Sequence, residues 1–348
     1  MPTETSVSAT APDKKAQVTG ARRALALLAS RPEYLTFLLL LLAFVIGSIL
    51  SPYFLHIPFI LSSTSNFIEV GIMGLGEAFV IITGNIDLSV ESTVALVGCT
   101  AGVMFFDLRI PMEITLPICL IEGAFLGWFN GFFVTRVRLP SLAVTLGTLA
   151  LFRGAANILV GDDSRPKLAW SRTITFPSWF VGIDRVFIPG TPIPMPLVIF
   201  LVLAIVLGVV LARTTFGRWV YAVGTNEQAA RYSGVPTDRV KMLVFIISGF
   251  LAGLAGLMMV SRLGVARYDN ASGWVLDTIT AVVLGGVSIY GGSGTIVGAV
   301  LAFFLVVVLR TGMGVANFKA ESQLTVIGGL LIVAILASNF IRRFRKQE

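Results

Sequence analysis

The 348-residue chain is too apolar for an ordinary soluble globular protein, because 55% of its residues are hydrophobic and only 13% are charged, where a soluble domain has about a quarter. Its net charge of +7 does not indicate nucleic-acid binding, since in a membrane protein an excess of lysine and arginine marks the cytoplasmic loops. Two cysteines and a single histidine provide neither a disulfide framework nor a set of metal ligands.

The chain opens with a polar and basic segment, 1–33. Its short apolar run, Ala24–Ala29, is followed closely by Arg31, and no small-residue cleavage pattern follows the longer run at Leu35–Ile49. These features predict a retained anchor rather than a signal peptide. We expect segment 1–33 to lie in the cytoplasm.

Apolar stretches of bilayer-spanning length occupy most of the remaining chain, 34–341. A helix of about 19 residues is roughly 28 Å long, enough to cross the hydrocarbon core, and its backbone hydrogen bonds are satisfied internally. The sequence therefore predicts an all-α fold, a polytopic transmembrane bundle of about ten spans. The predicted spans are 34–52, 66–83, 87–106, 114–134, 141–160, 194–212, 242–260, 275–290, 295–313 and 323–341.

Glycines are concentrated in two of these stretches, at Gly71–Gly84 and at Gly285–Gly294. Glycine lets helix backbones pack closely, and it also permits the unwound segments that line the substrate path in some transporters. Both interpretations are open for each stretch, so either predicted span can be a broken helix.

The basic residues predict the orientation of the bundle. With ten spans and the N-terminus inside, the cytoplasmic segments hold 16 of the 26 lysines and arginines and the outside loops hold eight. This bias predicts that both termini are cytoplasmic, including a basic tail at 342–348. The longest outside connection, Gly161–Ile193, is then either a tolerated surface insertion or a docking surface for an extracytoplasmic partner.

The cytoplasmic segment 213–241 is too polar to span a membrane, and it has the pattern of a short helix. Thr225 and Gln228 match a capping box, Glu227 and Arg231 stand one turn apart for an ion pair, and Gly234 supplies a stop. A helix of about two turns is unstable alone in water, so it must dock.

The docking partner of this short helix is left open by the pattern. The helix packs under its own bundle, or it enters a groove on another protein, for which the small side chains of Ala229 and Ala230 are suited.

Charged residues within the predicted spans are candidate functional residues, because charges in lipid are costly and normally face the bundle interior or water. They are Glu69, Glu77, Asp87, Glu91, Glu122, Arg153, Asp277 and Arg310. Four residues, Asp87, Ser89, Glu91 and Asp277, are candidates for lining a translocation path.

Each of these charged residues also has a structural interpretation. Asp87 and Glu91 are placed to cap a helix and to interact with its dipole. Asp277 is expected near a helix end, and Arg310 is close enough to a span end to snorkel. The glutamates Glu69, Glu77 and Glu122 are expected to form hydrogen bonds between helices or to pair with Arg153.

Three motifs carry a resemblance to a known family. Segment Ala222–Val235 (AVGTNEQAARYSGV) resembles the cytoplasmic coupling segment of permeases of bacterial ABC importers in the ribose, xylose, rhamnose and autoinducer-2 branch. Gly84–Ser92 (GNIDLSVES) resembles the glycine-rich turn of that family, and Ala281–Gly294 (AVVLGGVSIYGGSG) resembles its late glycine-rich segment. The resemblance covers about 60–340. Asn85 and Glu91 depart from it, since the family usually has glycine there.

The resemblance implies a multi-pass permease of the bacterial inner membrane. It implies that residues in the coupling segment contact an ABC ATPase: Thr225, Asn226, Glu227, Ala229, Ala230, Arg231 and Gly234. The chain has no phosphate-binding loop of its own, and no nucleophile, base and orienting residue converge in it, so we expect no enzyme activity, cofactor or metal. The implied partners are ATPase subunits, a second permease subunit, an extracytoplasmic substrate-binding protein, membrane lipid and a small polar substrate, without nucleic acid.

The substrate is a pentose, a deoxyhexose such as rhamnose, or autoinducer-2. Ser288–Gly294 and Ser62–Asn66 look most like the autoinducer-2 and rhamnose members. A secondary transporter driven by protons or sodium is the main alternative, and a scaffold or lipid-binding bundle is a third. The capped cytoplasmic helix and the absence of an obvious duplicated half argue against the secondary transporter.

Overall fold

The computed structural model describes residues 32–50, 52–167 and 174–345. Most of the predicted N-terminal segment and the last residues of the basic tail therefore lie outside the described residues. The described residues form α-helices together with two short 3₁₀ helices, Pro52–Leu55 and Ile183–Arg185, and no strand occurs among them beyond two isolated bridges. In chain order the α-helices are α1 (Pro32–Leu50), α2 (Ile57–Thr64), α3 (Ile68–Ile82), α4 (Val90–Phe106), α5 (Met112–Thr135), α6 (Ser141–Val160), α7 (Met195–Arg213), α8 (Thr215–Thr225), α9 (Glu227–Tyr232), α10 (Thr237–Leu263), α11 (Trp274–Leu284), α12 (Ile296–Val315) and α13 (Ala320–Arg345).

Each predicted span coincides with one of these helices, which confirms the all-α prediction. Five helices, α5, α6, α7, α10 and α12, are long and apolar enough to cross a membrane, and α2 and α3 together form a sixth candidate that is bent by 57°. The other predicted spans correspond to shorter apolar stretches in α1, α4, α11 and α13. Ten spans and the cytoplasmic position of the termini stay predictions.

The two glycine-rich stretches differ in structure. The α3 helix runs unbroken through its glycines, and the break lies earlier, between Thr64 and Ile68. A Cβ on Gly76 would come within 2.9 Å of Ser248 Cα, so glycine serves close packing there. By contrast, 285–295 is not helical, and the predicted span 275–290 is too long because α11 ends at Leu284.

Helix α3 is the centre of the bundle, with all its residues buried. It packs against α10, which in turn lies close to α5, where a Cβ on Gly127 would come within 3.1 Å of Gly249 Cα. Helices α6 and α7 lie at the periphery and expose large apolar side chains such as Ile158 and Ile205. A surface of that kind suits lipid contact.

The predicted orientation can be tested by cysteine labelling. Asp163 and Asn226 are both exposed, whereas the native Cys99 and Cys119 are buried and provide a low background. We expect Asp163→Cys to react with an impermeant thiol reagent added to intact cells, and Asn226→Cys to react only after the membrane is opened. The reverse pattern of labelling would contradict the ten-span topology.

Candidate functional site

Helix α9 is the short helix predicted in the coupling segment, but its cap differs from the prediction. The side chain of Asn226 caps α9 by accepting the N–H of Ala229 at 2.9 Å. Thr225 belongs to α8, and its hydroxyl donates to the carbonyl of Tyr221 at 2.8 Å. The capping box between Thr225 and Gln228 is therefore wrong, because α8 continues one residue further than the pattern indicates.

Ion pairs attach α9 to the first turns of α10. The predicted pair between Glu227 and Arg231 is confirmed at 3.4 Å. Shorter contacts join Arg231 to Asp238 at 2.6 Å and Glu227 to Lys241 at 2.8 Å. These contacts cross from α9 to α10, so the two helices are linked at two points.

The two alanines of α9 face different environments. Ala229 is exposed, whereas Ala230 is 6% exposed and packs inward. Of the two open interpretations, packing under the bundle describes Ala230, whereas Ala229 stays exposed; contact of both alanines with an ATPase stays a prediction. Gly234 ends the segment with φ +83°, as the stop signal predicts.

Tyr232, at the end of α9, was missed by sequence reasoning. Its side chain is 91% exposed, the largest exposed fraction among the large hydrophobic and aromatic side chains that the structure describes. Tyrosine is enriched at the energetic centres of protein interfaces. The feature of the sequence that could have identified Tyr232 is its position beside Arg231, at the C-terminal end of a capped helix.

The end of α8 meets the end of α3 at a junction made of glycines, which we call the glycine junction: Gly84, Gly224, Gly291 and Gly292. The N–H of Gly292 donates to the carbonyl of Ile82 at 2.8 Å. A Cβ on Gly224 would clash with that same carbonyl oxygen, and a Cβ on Gly291 would lie 2.9 Å from both the Gly224 carbonyl oxygen and the Gly84 nitrogen. Three backbones meet here at contact distance.

A side chain strengthens the same connection. The hydroxyl of Tyr221 on α8 donates to the carbonyl of Gly294 at 2.7 Å. Thus the residues that lead into α9 are hydrogen-bonded to the non-helical segment 285–295 and packed closely against the end of α3.

Two adjoining cavities open beside α9. The larger, of about 710 Å³, lies between α9, the Gly84–Asn85 turn and the connection from α5 to α6. The smaller, of about 290 Å³, lies between Arg136 and the start of α10. Arg231 and Asp238 line both cavities, so this ion pair lies at their boundary.

A cluster of buried polar side chains lies deeper in the bundle, around Asp87. Its carboxylate accepts the N–H and the hydroxyl of Ser89 at 3.0 and 2.6 Å, and the Ser248 hydroxyl lies 3.5 Å away. Glu77 accepts the N–H of Asp87 at 3.0 Å, and Asn130 donates to the Ser89 hydroxyl at 2.7 Å. Asp87 therefore orders the turn before α4 rather than capping the helix directly.

Glu91 joins three elements at the start of α4. One carboxylate oxygen lies 3.2 Å from Arg153 on α6, and the other accepts the N–H of Val275 in the first turn of α11 at 3.1 Å. Arg153 also donates to the carbonyls of Tyr268 and Asn270 at 2.6 and 2.8 Å. Glu91 thus lies in the first turn of α4, as predicted, and it also interacts with the N-terminus of a second helix.

Asp277 and Arg310 form a pair that sequence reasoning treated as two separate helix-end residues. Arg310 donates to both carboxylate oxygens of Asp277 at 2.8 and 2.6 Å. The expectation that Arg310 snorkels is wrong, because its side chain is turned inward onto a buried carboxylate.

The glutamates Glu69 and Glu122 contact neither each other nor Arg153. Glu69 accepts from Arg262 at 2.9 Å, and Glu122 accepts from the Thr100 hydroxyl at 2.9 Å. Both contacts join two different helices. This agrees with the interpretation that these glutamates form hydrogen bonds between helices. Among the described residues, no group of three or more His, Cys, Asp or Glu side chains is placed to hold a metal ion.

Within the segment 161–193, the described residue Arg165 packs onto the connection between α10 and α11. Arg165 and Ala266 exchange backbone hydrogen bonds of 2.9 and 2.8 Å, and the Arg165 side chain pairs with Asp107 at 2.8 Å. Nearby, Arg267 donates two hydrogen bonds to Asp269, which lower the pKa of that carboxyl. These contacts tie the residues after α6 to the end of α4 and to the loop after α10.

The chain is similar to one protein family and to several known proteins. Residues 59–335 match the model of the family described as the branched-chain amino acid transport system / permease component. Similar proteins include the autoinducer 2 import system permease protein LsrD of Photorhabdus laumondii, 33% identical over 326 residues, which are 91% of this chain and 96% of the relative. The proteins of the same name from Salmonella typhi and Yersinia enterocolitica are each 36% identical, covering 86% and 81% of this chain and 88% and 84% of the relatives. No solved structure matches the chain.

Proposed function

The chain belongs to this family of permease components and is a multi-pass protein of the inner membrane, and we propose that it is the permease subunit of an ATP-driven importer of a small sugar-like ligand. A separate ABC ATPase supplies the energy, an extracytoplasmic binding protein delivers the ligand, and a second permease subunit, identical or related, completes the path. The family match and the similarity to three import permeases support this assignment.

The observation that carries the proposal is the double attachment of α9. Its outer end presents Tyr232, while ion pairs and the glycine junction attach the segment to α10, α3 and 285–295. A short helix held in this way moves together with the elements to which it is bonded. Motion of the ATPase against α9 is therefore passed to the centre of the bundle.

The buried polar groups lie on the elements that would receive this motion. Asp87 follows α3, Ser248 lies on α10, and Glu91 binds the first turn of α11. We infer that displacing α3 and α11 relative to α4 and α10 exposes these groups alternately to the two sides of the membrane. In this scheme Asp87, Ser89, Glu91 and Asp277 contact or border the path.

The proposed substrate class follows from the relatives and from the chemistry of these groups. The three relatives are named for import of autoinducer 2, and hydroxyl-rich neutral ligands are held by the carboxylate, hydroxyl and amide groups present in the bundle. We propose autoinducer-2 as the first candidate, with rhamnose and a pentose as the others. Uptake of each ligand into vesicles that contain the reconstituted complex, with and without ATP, tests both substrate and energy source.

The vesicle experiment also separates this proposal from a gradient-driven transporter. We expect uptake to require ATP and to be independent of an imposed proton or sodium gradient. Uptake that follows the gradient in the absence of ATP would contradict the proposal and favour the secondary transporter.

Substitution of Tyr232 tests the coupling role of α9 without disturbing the fold. Because this side chain is almost fully exposed, Tyr232→Ala should leave insertion and stability unchanged, whereas truncating an interface anchor costs about 2 kcal/mol or more of binding. We expect ATP-dependent uptake to fall at least about tenfold. The matched control is Tyr34→Ala on α1, where the tyrosine is 51% exposed. Equal uptake by both variants would show that Tyr232 is not an anchor.

A further inference from the structure

The rim of the two cavities beside α9 is rich in cations. Five basic residues line them, and we call this surface the basic groove: Arg136, Arg138, Arg231, Arg239 and Lys241. Two acidic residues, Glu227 and Asp238, share the same lining. The groove therefore carries an excess of positive charge.

The acidic residues neutralise only part of this charge. Arg231 and Lys241 account for both of them, with contacts of 2.6 Å to Asp238 and 2.8 Å to Glu227. Arg136, Arg138 and Arg239 form no ion pair with any residue in the described part of the chain. The unpaired charge is thus concentrated on the α5–α6 connection and at the start of α10.

Backbone geometry at Arg138 also points to this surface. Arg138 has φ +62°, a conformation unusual for a residue with a side chain, and it lines the larger cavity. A residue in this region costs about 1–3 kcal/mol and persists where the surrounding structure determines it.

The abundance of cytoplasmic arginine in membrane proteins is a simpler explanation for these charges. That rule accounts for the sign of the charge but not for its arrangement around a cavity. Any occupant of the larger cavity also lies against Glu227 and Gln228 of α9. Tyr232, the exposed aromatic side chain that we assign to a protein interface, stands four residues after Gln228 on the same short helix and lines neither cavity.

We propose that the basic groove receives an acidic segment of the ATPase subunit, which binds beside α9 and determines how the ATPase is oriented on the permease. This inference rests on the proposed function and adds the chemistry of the partner surface to it. Opposite charges across an interface increase the association rate and fix the register of the two proteins. Tyr232 and the groove are then neighbouring parts of one interface, the first apolar and the second ionic.

Charge reversal in the groove tests the proposal. The variant Arg136→Glu with Arg138→Glu reverses two unpaired cations, and the control Arg213→Glu with Arg218→Glu makes the same change at exposed arginines outside both cavities. Binding of the purified ATPase subunit to the purified permease is measured in lipid-free detergent, at low salt and at about 0.5 M salt, where screening is strong. We expect at least about tenfold weaker binding for the groove variant at low salt, a smaller difference at high salt, and binding within about twofold of wild type for the control.

Further measurements separate the possible failures. Gel filtration shows whether each variant is folded, and the single variant Arg239→Glu repeats the test at a third position. Equal binding by the groove and control variants, together with weaker binding by Tyr232→Ala, would overturn the acidic-segment proposal and leave the proposed function intact. A loss of binding that appears only in vesicles with anionic lipid would assign the groove to lipid headgroups and also overturn it. Failure of the wild-type permease to bind the ATPase would instead contradict the proposed function.

Discussion

Replacing Arg310 with leucine should destabilise the folded bundle by about 3–5 kcal/mol, because it leaves a buried carboxylate without its cation. Arg310 donates two hydrogen bonds to Asp277, and the two side chains are only 12% and 2% exposed. The pair joins α12 to α11. We expect the loss to appear as a lower midpoint of thermal unfolding in detergent.

A double variant distinguishes the charge effect from a packing effect. Asp277→Leu combined with Arg310→Leu removes both charges, and replacement of a buried pair by apolar side chains is often neutral. We therefore expect the double variant to recover most of the stability that Arg310→Leu loses. The surface control is Arg267→Leu, which breaks a pair whose partners are each 45% exposed and should change stability by less than about 1 kcal/mol. Equal destabilisation by the single and double variants would show that the cost comes from packing.

The pair between Asp277 and Arg310 also shows what sequence reasoning could not provide. Each residue was assigned correctly to a predicted span, and each was interpreted from its distance to the end of that span. Their contact depends on how α11 and α12 pack, and 33 residues of sequence separate them. The same limit applies to Glu91, whose contacts with Arg153 and with the N-terminus of α11 depend on the relative position of three helices.

Local features were predicted better, because the interactions that determine them join residues only a few positions apart in the sequence. Each hydrophobic stretch that was predicted to span the membrane falls on a helix, and spacing predicted both the α9 helix and the ion pair between Glu227 and Arg231. The error at the cap of α9 was a single residue. It arose because Thr225 satisfies its hydroxyl within α8, which leaves Asn226 to accept the N–H of Ala229.

Glycine was ambiguous in the sequence for a physical reason. The same residue permits close helix contact and permits positive φ, and neighbouring chains decide which property is used. Gly76 lies within α3, where the missing side chain lets Ser248 approach closely, whereas Gly291 and Gly292 take φ +82° and +75° in the segment after α11. Only the folded arrangement shows that the second group meets Gly224 and Gly84.

Substitution of Gly224 should have the largest effect on transport among changes that leave α9 itself intact. A Cβ at this position would clash with the carbonyl oxygen of Ile82 and lie 2.9 Å from its carbonyl carbon. These neighbours are backbone atoms of Ile82, and the oxygen already accepts a hydrogen bond from Gly292. They therefore cannot move aside as a flexible side chain would. Overpacking of this kind costs about 1–3 kcal/mol, and moving α8 away from α3 relieves it.

We therefore expect Gly224→Ala to separate ATPase binding from transport. The exposed surface of α9 remains available, so binding of the ATPase should stay within about twofold of wild type, while ATP-dependent uptake falls at least about tenfold, equivalent to about 1.4 kcal/mol. The matched control is Gly147→Ala on α6, where an added Cβ meets no atom within 4 Å; this variant should transport normally. If Gly224→Ala transports as well as Gly147→Ala, the glycine junction does not pass motion from α9 to α3. If ATPase binding is lost together with uptake, α8 positions α9 for docking rather than connecting it to the bundle.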